Sequence, residues 1–191
     1  KSKLAGEKAL FKKYKNASVL RPSVVFGEGD EFFNMFAHLA RFSPFLPLIG
    51  GGHTKFQPVF VGDVADAVMT ALERPALGED NPQGQIYELG GPDVVNFREV
   101  YETLFKYTER KRRLITLPFF VAKVEAFFLQ FLPSPILTPD QVDSLKTDNV
   151  ASGKLPGFDA LGVRPKAMSQ VLPHYLATYR AGGRFGDKNA A

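Results

Sequence analysis

Four short apolar runs alternate along this chain with longer segments whose apolar residues recur at helical spacing. The runs lie at residues 17–20, 56–61, 86–89 and 114–117, and each is followed within two positions by proline or glycine. Strands that alternate with helices predict an α/β fold with parallel strands. About four strands are too few for a doubly wound sheet, so we expect the remaining strands to lie outside this chain.

The opening of the chain supports the same interpretation. It begins with the run Lys-Ser-Lys-Leu-Ala-Gly-Glu, already inside a helix-forming segment at 2–15, with no initiator methionine and no signal-peptide pattern. A domain rarely starts in the middle of a helix. We therefore expect this chain to be the C-terminal portion of a longer protein.

Composition limits the chemistry that the chain can perform. Its net charge of +4 is too small to indicate nucleic acid by itself. It has no cysteine, which excludes disulfides, thiol catalysis and cysteine-ligated metal, and favours a reducing compartment. The three histidines are too scattered for a metal site. No stretch approaches the ~20 apolar residues of a membrane-spanning helix.

Capping signals mark where several helices begin. The predicted caps are Asp30, Asp63, Asn96 and Thr138. The last two are supported by Glu99 and Gln141, each three positions later, in the pattern of a capping box. Pro75 is expected to end the helix that Asp63 begins. A final helix is predicted at 166–179 and a loose tail at 181–191.

Prolines and glycines predict the breaks between elements. Pro22 is expected to end the first strand, because proline cannot donate to a ladder. Residues 44–52 contain two prolines and three consecutive glycines, which predict an irregular crossing. The glycine triplet is not a phosphate loop, since the Gly-Lys-Ser/Thr ending and a following helix are both missing.

The segment 119–132 is the most apolar part of the chain. Lys123, Glu125 and Gln130 are its polar residues. It is too apolar for an ordinary surface helix and too short to span a bilayer. Two interpretations stay open: burial within this lobe, or contact with a membrane protein or lipid surface. The apolar continuation to residue 137 favours contact, and we expect peripheral lipid contact through residues 119–137. The basic turn at 110–113 is interpreted as a solvated charged turn, with contact to anionic lipid or nucleic acid as the alternatives.

Three motifs are together similar to those of the extended and atypical short-chain dehydrogenase/reductases, the family of NAD-dependent epimerases and dehydratases. They are Ser-Lys-x-x-Gly-Glu at 2–7, Leu-Arg-Pro-Ser-Val-Val-Phe-Gly at 20–27 and Gln-Pro-Val-Phe-Val-Gly-Asp-Val-Ala at 57–65. The resemblance implies the C-terminal part of a Rossmann-type doubly wound parallel sheet and a small, mostly helical C-terminal lobe. No glycine-rich dinucleotide turn occurs in the sequence. The chain alone is therefore expected to be inactive.

The resemblance also implies site residues. The family pairs a tyrosine with a lysine four positions later on one helix, and Lys3 matches the lysine, so the tyrosine would fall before residue 1. Such a lysine would lower the pKa of the tyrosine and hydrogen-bond the nicotinamide ribose. Backbone groups around Pro22, Ser23 and Val25 would touch the nicotinamide carboxamide, while Asp63 would have a structural role.

Further motifs resemble one subfamily, the dehydrogenase-like accessory subunits of respiratory complex I and their bacterial relatives. They are Gly-Glu-Gly-Asp-Glu-Phe-Phe-Asn at 27–34, Lys-Phe-Gln-Pro-Val at 55–59, and the stretch from 137–141 to 148–150. This resemblance implies a tightly bound NADP or NAD that is structural, and a partnership with a membrane-protein complex. It implies a place on the cytoplasmic side of the bacterial inner membrane, or on the matrix side of the mitochondrial one.

The resemblance divides the chain into two regions. Residues 1–25 and 63–91 would be the remnant of the dinucleotide-binding domain, and residues 26–62 and 92–180 the substrate or interaction lobe. In the lobe, Lys55 resembles the basic residue that extended members place against a nucleotide-sugar phosphate. His38 and Arg41 share a polar helix face that could bind a substrate or an acidic partner. A solvated surface role is the alternative for all three.

Three functions are compatible with the sequence. The first is a noncatalytic, NAD(P)-binding accessory or assembly subunit of a respiratory NADH:quinone oxidoreductase. The second is an active NAD(P)-dependent epimerase, dehydratase or hydroxysteroid dehydrogenase, with the upstream tyrosine as acid and base and Lys3 orienting the cofactor. The third is a lipid- or protein-interaction lobe with no nucleotide role.

Overall fold

The computed structural model describes residues 2–77, 83–131 and 137–183. Within those ranges, helices and short strands alternate along the chain, and two 3₁₀ turns lie at Gly50–Gly52 and Ala177–Tyr179. The helices are α1 Ser2–Lys13, α2 Phe33–Phe42, α3 Val61–Leu77, α4 Phe97–Thr108, α5 Phe119–Leu129, α6 Pro139–Ser144, α7 Phe158–Leu161 and α8 Met168–Leu176. The strands are β1 Val19–Pro22, β2 Val25–Phe26, β3 Phe45–Ile49, β4 Lys55–Phe56, β5 Val59–Phe60, β6 Ile86–Leu89, β7 Val95–Asn96 and β8 Arg113–Leu117.

The strands pair two by two. β1 with β6, β2 with β5 and β3 with β8 are parallel, whereas β4 with β7 is antiparallel. The predicted α/β class with parallel strands is confirmed. The prediction of about four strands was too low, because three of the eight described strands escaped it and the run at 56–61 holds two separate strands.

Two prolines lie inside strands that the sequence did not predict them to join. Pro22 is itself the last residue of β1, whereas the prediction ended the strand before it. The amides of Val19 and Ser23 donate to β6 at the carbonyls of residues 85 and 89, so the alternate residue Pro22 points its nitrogen away from β6. Pro47 lies in β3 opposite Ile115, within the segment predicted to be irregular.

The helix α3 begins and ends differently from its prediction. It starts at Val61, so Asp63 lies inside the first turn and is not the cap. The buried Asp63 carboxylate instead accepts a hydrogen bond of 2.6 Å from the Lys166 amide. The helix also continues past Pro75 to Leu77, although proline cannot donate a hydrogen bond to the carbonyl four positions earlier.

The other predicted caps are found. The amide of Glu99 donates to Asn96 Oδ1 at 3.0 Å, and Glu99 Oε2 accepts from the Asn96 amide at 2.7 Å. Thr138 and Gln141 form the same reciprocal pair at the start of α6. Asp30 accepts hydrogen bonds from the amides of Phe33 and Asn34 in the first turn of α2. It lies two positions before Phe32, the N-cap residue of the helix.

The described core has two parts. The larger part packs α2, α4 and α8 against β3, and its largest fully buried side chain is Tyr101. The smaller part lies between β1, β6, α3 and α7, around Val59, Tyr87 and Leu89. The division of the chain into a dinucleotide-binding remnant and a lobe stays a prediction. The final helix is found at Met168–Leu176, and the tail after residue 183 lies outside the described residues.

Candidate functional site

A small crevice opens where β1 and β6 end. Because these strands are parallel, their carboxyl ends meet at one edge of the sheet, which is where α/β folds bind ligands. The crevice has a volume of about 140 Å³. Its lining residues are Arg21, Pro22, Ser23, Glu88, Leu89, Asn149, Val150 and Ala151. Complete small-molecule sites measure roughly 300–1,000 Å³, so the crevice is smaller than such a site.

Two of the predicted cofactor residues, Pro22 and Ser23, line this crevice. The Ser23 amide donates to the Leu89 carbonyl at 3.0 Å. The Ser23 hydroxyl lies 2.8 Å from the carbonyl oxygen and 3.1 Å from Oδ1 of Asn149, and donates between them. Val25 lies elsewhere. It belongs to β2, where it pairs with Val59 of β5, and it packs against the smaller part of the core.

An ion pair fixes the helix that carries Lys3. Arg21 Nε donates to Glu7 Oε1 at 3.1 Å, and Arg21 Nη2 contacts Glu7 Oε2. Arg21 thereby lowers the pKa of the Glu7 carboxyl, chiefly through the hydrogen bond. Lys3 is exposed and lies four residues before Glu7, so the two side chains share one face of α1. The pair turns that face toward the end of β1. The sequence contained both charges, but the prediction assigned a role to Lys3 alone.

A strap, which we define as residues 148–152, closes the far side of the crevice. Its Asp148 carboxylate accepts from the Lys55 amide at 2.9 Å. The Gln57 side chain bridges the strap to the turn that follows β6, because its Oε1 accepts from the Ala151 amide at 2.9 Å and its Nε2 donates to the Gly91 carbonyl at 2.8 Å. Two motifs that share the complex I resemblance, 55–59 and 148–150, therefore meet in space.

The last residue of the strap binds a carboxylate in the crevice wall. The amide and the hydroxyl of Ser152 donate to Glu88 Oε2 at 2.6 and 2.7 Å. These hydrogen bonds lower the pKa of Glu88, and the charge of Arg21 adds to the effect. The crevice thus holds a carboxylate that is already satisfied by protein donors. Sequence reasoning missed the strap because Ser23 and Asn149 are 126 positions apart.

The three weaker candidates lie away from the crevice lining. Lys55 is exposed in β4, and its backbone forms the contacts with the strap. His38 and Arg41 are exposed on α2, where both lie against Phe42. The His38 ring centroid is 5.1 Å from that of Phe42, and the Arg41 guanidinium carbon is 5.7 Å from it.

The exposure of α5 decides between burial within the lobe and an exposed contact surface. Ala122 and Ala126 are buried, whereas Phe120, Phe128 and Phe131 at and beyond the helix are 79%, 68% and 74% exposed. The interpretation as a core helix is therefore wrong for the part that the structure describes, while residues 132–136 lie outside it. Phe119 seats the helix on Gly50, where an added Cβ would lie 2.3 Å from the ring.

Metal ligands and membrane-spanning helices are two further features that the described residues could contain. In these ranges, no group of three or more histidine and acidic side chains could hold a metal ion. No helix of the described segments is long and apolar enough to cross a membrane. The candidate site therefore consists of the crevice, with the face of α1 that carries Lys3 beside it.

Comparison of sequences identifies relatives in mitochondria. The chain is 35% identical over 98% of its length to "NADH dehydrogenase (ubiquinone) 1 alpha subcomplex subunit 9, mitochondrial" of Arabidopsis thaliana, and covers 48% of that protein. It is 31% identical over 94% of its length to the protein of the same name in Mus musculus, and covers 47% of it. The chain thus spans about half the length of the curated relatives it matches. No protein-family model matches it.

Solved structures share the fold. A dTDP-glucose 4,6-dehydratase of Streptomyces venezuelae with NAD bound aligns with a TM-score of 0.60 at 16% identity, over 88% of this chain and 45% of that one. The UDP-glucose 4-epimerase of Thermus thermophilus in complex with NAD aligns with a TM-score of 0.57 at 18% identity, over 92% of this chain and 50% of that one. At such identities the likeness shows a common Rossmann-type fold.

Proposed function

We propose that this chain, which is similar to mitochondrial NADH dehydrogenase subunits and shares its fold with NAD-binding epimerases and dehydratases, serves a respiratory NADH:quinone oxidoreductase as an accessory or assembly subunit. In this proposal the protein carries a dinucleotide, NADP or NAD, that is mainly structural. The observation that carries the proposal is the match to the Arabidopsis subunit, which is 35% identical over 98% of the chain and so includes the lobe as well as β1 and β6.

The crevice supports a structural use of the dinucleotide. Lys3, Pro22 and Ser23 would hold the nicotinamide end of the dinucleotide. In enzymes of the family, this end of a bound dinucleotide supplies hydride chemistry. The Ser23 hydroxyl donates to Asn149 and the Glu88 carboxylate is occupied by Ser152, so neither is a ready proton carrier. A ligand that binds the folded state alone stabilises it by mass action, which suits a subunit that performs no turnover.

The exposed helix α5 supports a place at a membrane. We propose that the protein is peripheral to the membrane that holds the respiratory complex, with lipid contact through residues 119–137. The membrane is the bacterial inner membrane approached from the cytoplasm, or the mitochondrial inner membrane approached from the matrix. Helices that lie flat on a bilayer bury aromatic side chains a few ångströms deep and need no spanning segment.

The test uses the full-length protein from its own cells. Membranes are solubilised in mild detergent, the respiratory complex is separated by size, and its fractions are assayed for the protein and for NADH:quinone activity. The protein is expected to migrate with the complex and to release about one NADP(H) or NAD(H) per chain on denaturation.

The competing enzyme hypothesis makes the opposite prediction for the same preparation. A freely soluble protein that reduces or epimerises nucleotide sugars, or oxidises hydroxysteroids, with turnover of added NAD(P) would overturn the accessory role. A protein that migrates with the complex and releases no dinucleotide would retain the partnership and refute the structural cofactor.

A further inference from the structure

A second cavity lies at a different parallel strand pair and shares no lining residue with the crevice. It occupies about 450 Å³ where β3 and β8 begin. We call it the basic groove, and its lining residues are Pro44, Phe45, Lys111, Arg112 and Arg113. The parallel register places Phe45 opposite Arg113 and Pro47 opposite Ile115 on the outer face of this strand pair. A phenyl ring and a guanidinium therefore form adjacent walls of one opening.

Arg112 builds the floor of the basic groove. Its Nε donates to the Ala40 carbonyl at 2.7 Å, and its Nη1 donates to the Lys111 carbonyl at 3.1 Å. These contacts fix the turn that presents Lys111 and Arg113. Both of those side chains are exposed, and neither forms an ion pair with any residue of the described ranges.

Positive charge accumulates around the groove, and no acidic side chain within residues 2–77, 83–131 and 137–183 forms an ion pair with Arg110, Lys111, Arg112 or Arg113. Burial lowers the pKa of Arg110, and the charges of Arg112 and Arg41 lower it further. Arg41 therefore belongs to the same cluster. Glu109 is nearby in sequence but is 3.3 Å from Arg180 and pairs with it. Cations held together in this way repel each other, and an anion that enters the groove relieves the repulsion.

The strand β8 joins this basic cluster to the exposed aromatic helix. Ile115 in the middle of β8 is 50% exposed and Phe45 beside its start is 46% exposed. Pro118 alone separates β8 from α5. A nucleic acid or an acidic protein segment would match the cations but would leave the apolar face of α5 in water. A membrane with anionic lipids matches both, because basic residues bind its headgroups while aromatic side chains enter its acyl region.

We propose that the basic groove binds the phosphate of anionic phospholipid headgroups, with Lys111 and Arg113 as the cations, Phe45 as the adjoining apolar wall, and α5 as the inserted element. The inference rests on the lipid contact in the proposed function and adds to it the charge of the lipid and the residues that recognise it. It also gives the basic turn the lipid role that was the alternative to a solvated turn.

The experiment measures binding of the purified full-length protein to sedimented vesicles. One set is pure phosphatidylcholine and the other contains about one third phosphatidylglycerol. The double variant Lys111→Gln/Arg113→Gln is compared with Lys12→Gln/Lys13→Gln, which removes the same charge from exposed positions at the end of α1. We expect the unaltered protein to prefer the anionic vesicles. The groove variant should bind them about 10-fold more weakly, and the α1 variant nearly as well as the unaltered protein.

Salt and a helix variant separate the two contributions. Raising the salt to about 0.5 M should remove the preference for anionic vesicles, since the charges are exposed. Phe120→Ser/Phe128→Ser should weaken binding to both vesicle types. Equal binding to neutral and anionic vesicles, or equal loss in the two charge variants, would overturn the proposal. A third outcome is that the protein binds neutral and anionic vesicles equally while polyglutamate binds at the groove. That outcome would assign the groove to an acidic protein.

The result is distinguishable from failure of the proposed function. Vesicle binding is measured on the isolated protein, whereas the accessory role is judged by migration with the respiratory complex and by dinucleotide content. A groove variant that still migrates with the complex and loses anionic vesicle binding supports the lipid site. If the unaltered protein does not bind anionic vesicles but migrates with the complex, the lipid site is refuted and the accessory role is retained.

Discussion

Arg21 at the end of β1 and Glu7 in α1 are joined through both carboxylate oxygens, with Arg21 Nε 3.1 Å from Glu7 Oε1. Fork-to-fork pairing of this kind fixes orientation as well as distance. Because Lys3 lies one helical turn before Glu7, the same contact orients the face of α1 that carries Lys3. The ion pair is thus the link between the proposed cofactor lysine and the crevice wall.

Replacement of Glu7 by glutamine should destabilise the protein at neutral pH and have little effect in acid. Arg21 lowers the pKa of Glu7 from 4.5, so the folded state binds this proton less readily than the unfolded state. The contribution is present above about pH 4.5 and is lost as the pH falls through the folded pKa. Urea denaturation of Glu7→Gln and unaltered protein should give unfolding free energies that differ at pH 7 and converge as the pH falls through the lowered pKa of Glu7. Glu73→Gln, at an exposed position of α3, is the control. A difference that does not change with pH would refute the ion-pair explanation.

Tyr175 should contribute strongly to the attachment of α8. Its hydroxyl donates to Asp30 Oδ2 at 2.6 Å, and the side chain is buried. A hydrogen bond to a charged acceptor contributes roughly 1.5–3 kcal/mol, so Tyr175→Phe should lower the free energy of unfolding by about that amount. Tyr14→Phe, at a position that is 62% exposed, should have little effect in the same urea denaturation. Equal stabilities of the two variants would contradict this role.

Alkaline pH should unfold the protein as buried tyrosines ionise. Burial raises the pKa of Tyr101 and of Tyr175 above 10, and for Tyr175 the hydrogen bond to Asp30 adds to the shift. The folded state then retains protons that the unfolded state releases, so this stability is complete below about pH 10 and is lost above it. Ultraviolet titration followed beside circular dichroism should show these two tyrosines ionising together with the loss of structure. Ionisation of all 6 tyrosines while the structure persists would be the contrary result.

Two glycines should respond to alanine with opposite signs. A Cβ on Gly91 would lie 1.9 Å from the Pro58 carbonyl oxygen, so the backbone must shift at a cost of about 1–3 kcal/mol. A Cβ on Gly6 meets no atom within 4 Å, and Gly6 lies inside α1. Gly6→Ala should therefore stabilise the protein by about 0.5–1 kcal/mol. Thermal denaturation of both variants provides the comparison, and a neutral Gly91→Ala would show that the backbone at Gly91 can move away from Pro58 at little cost.

The features that the sequence predicted well are those decided within a few residues. The caps at Asn96 and Thr138 depend on a partner three positions away, and both formed as expected. The strand β3 was missed because Pro44 and Pro47 suggested a loop, whereas its pairing is decided by β8, far along the chain. The strap was missed for the same reason, since no local pattern connects Asn149 with Ser23. Family motifs located Pro22 and Ser23 at the crevice, but the hydrogen bonds that occupy Ser23 are a property of the assembled lobe.

The proposed cofactor role of Lys3 can be tested without reference to catalysis. If the Lys3 ammonium hydrogen-bonds the nicotinamide ribose, Lys3→Ala removes a charged hydrogen bond, and the affinity for the dinucleotide should fall about 10- to 100-fold. The measurement is the NADP(H) or NAD(H) released on denaturation of the full-length protein after dialysis. Lys8→Ala is the matched control, because Lys8 is also exposed on α1 but lies five residues later and so faces another direction. Equal dinucleotide content in the two variants would make Lys3 an ordinary surface lysine, whatever the protein's partner. A selective loss with Lys3→Ala that Glu7→Gln reproduces in part would show that the ion pair to Arg21 is what holds the lysine in place.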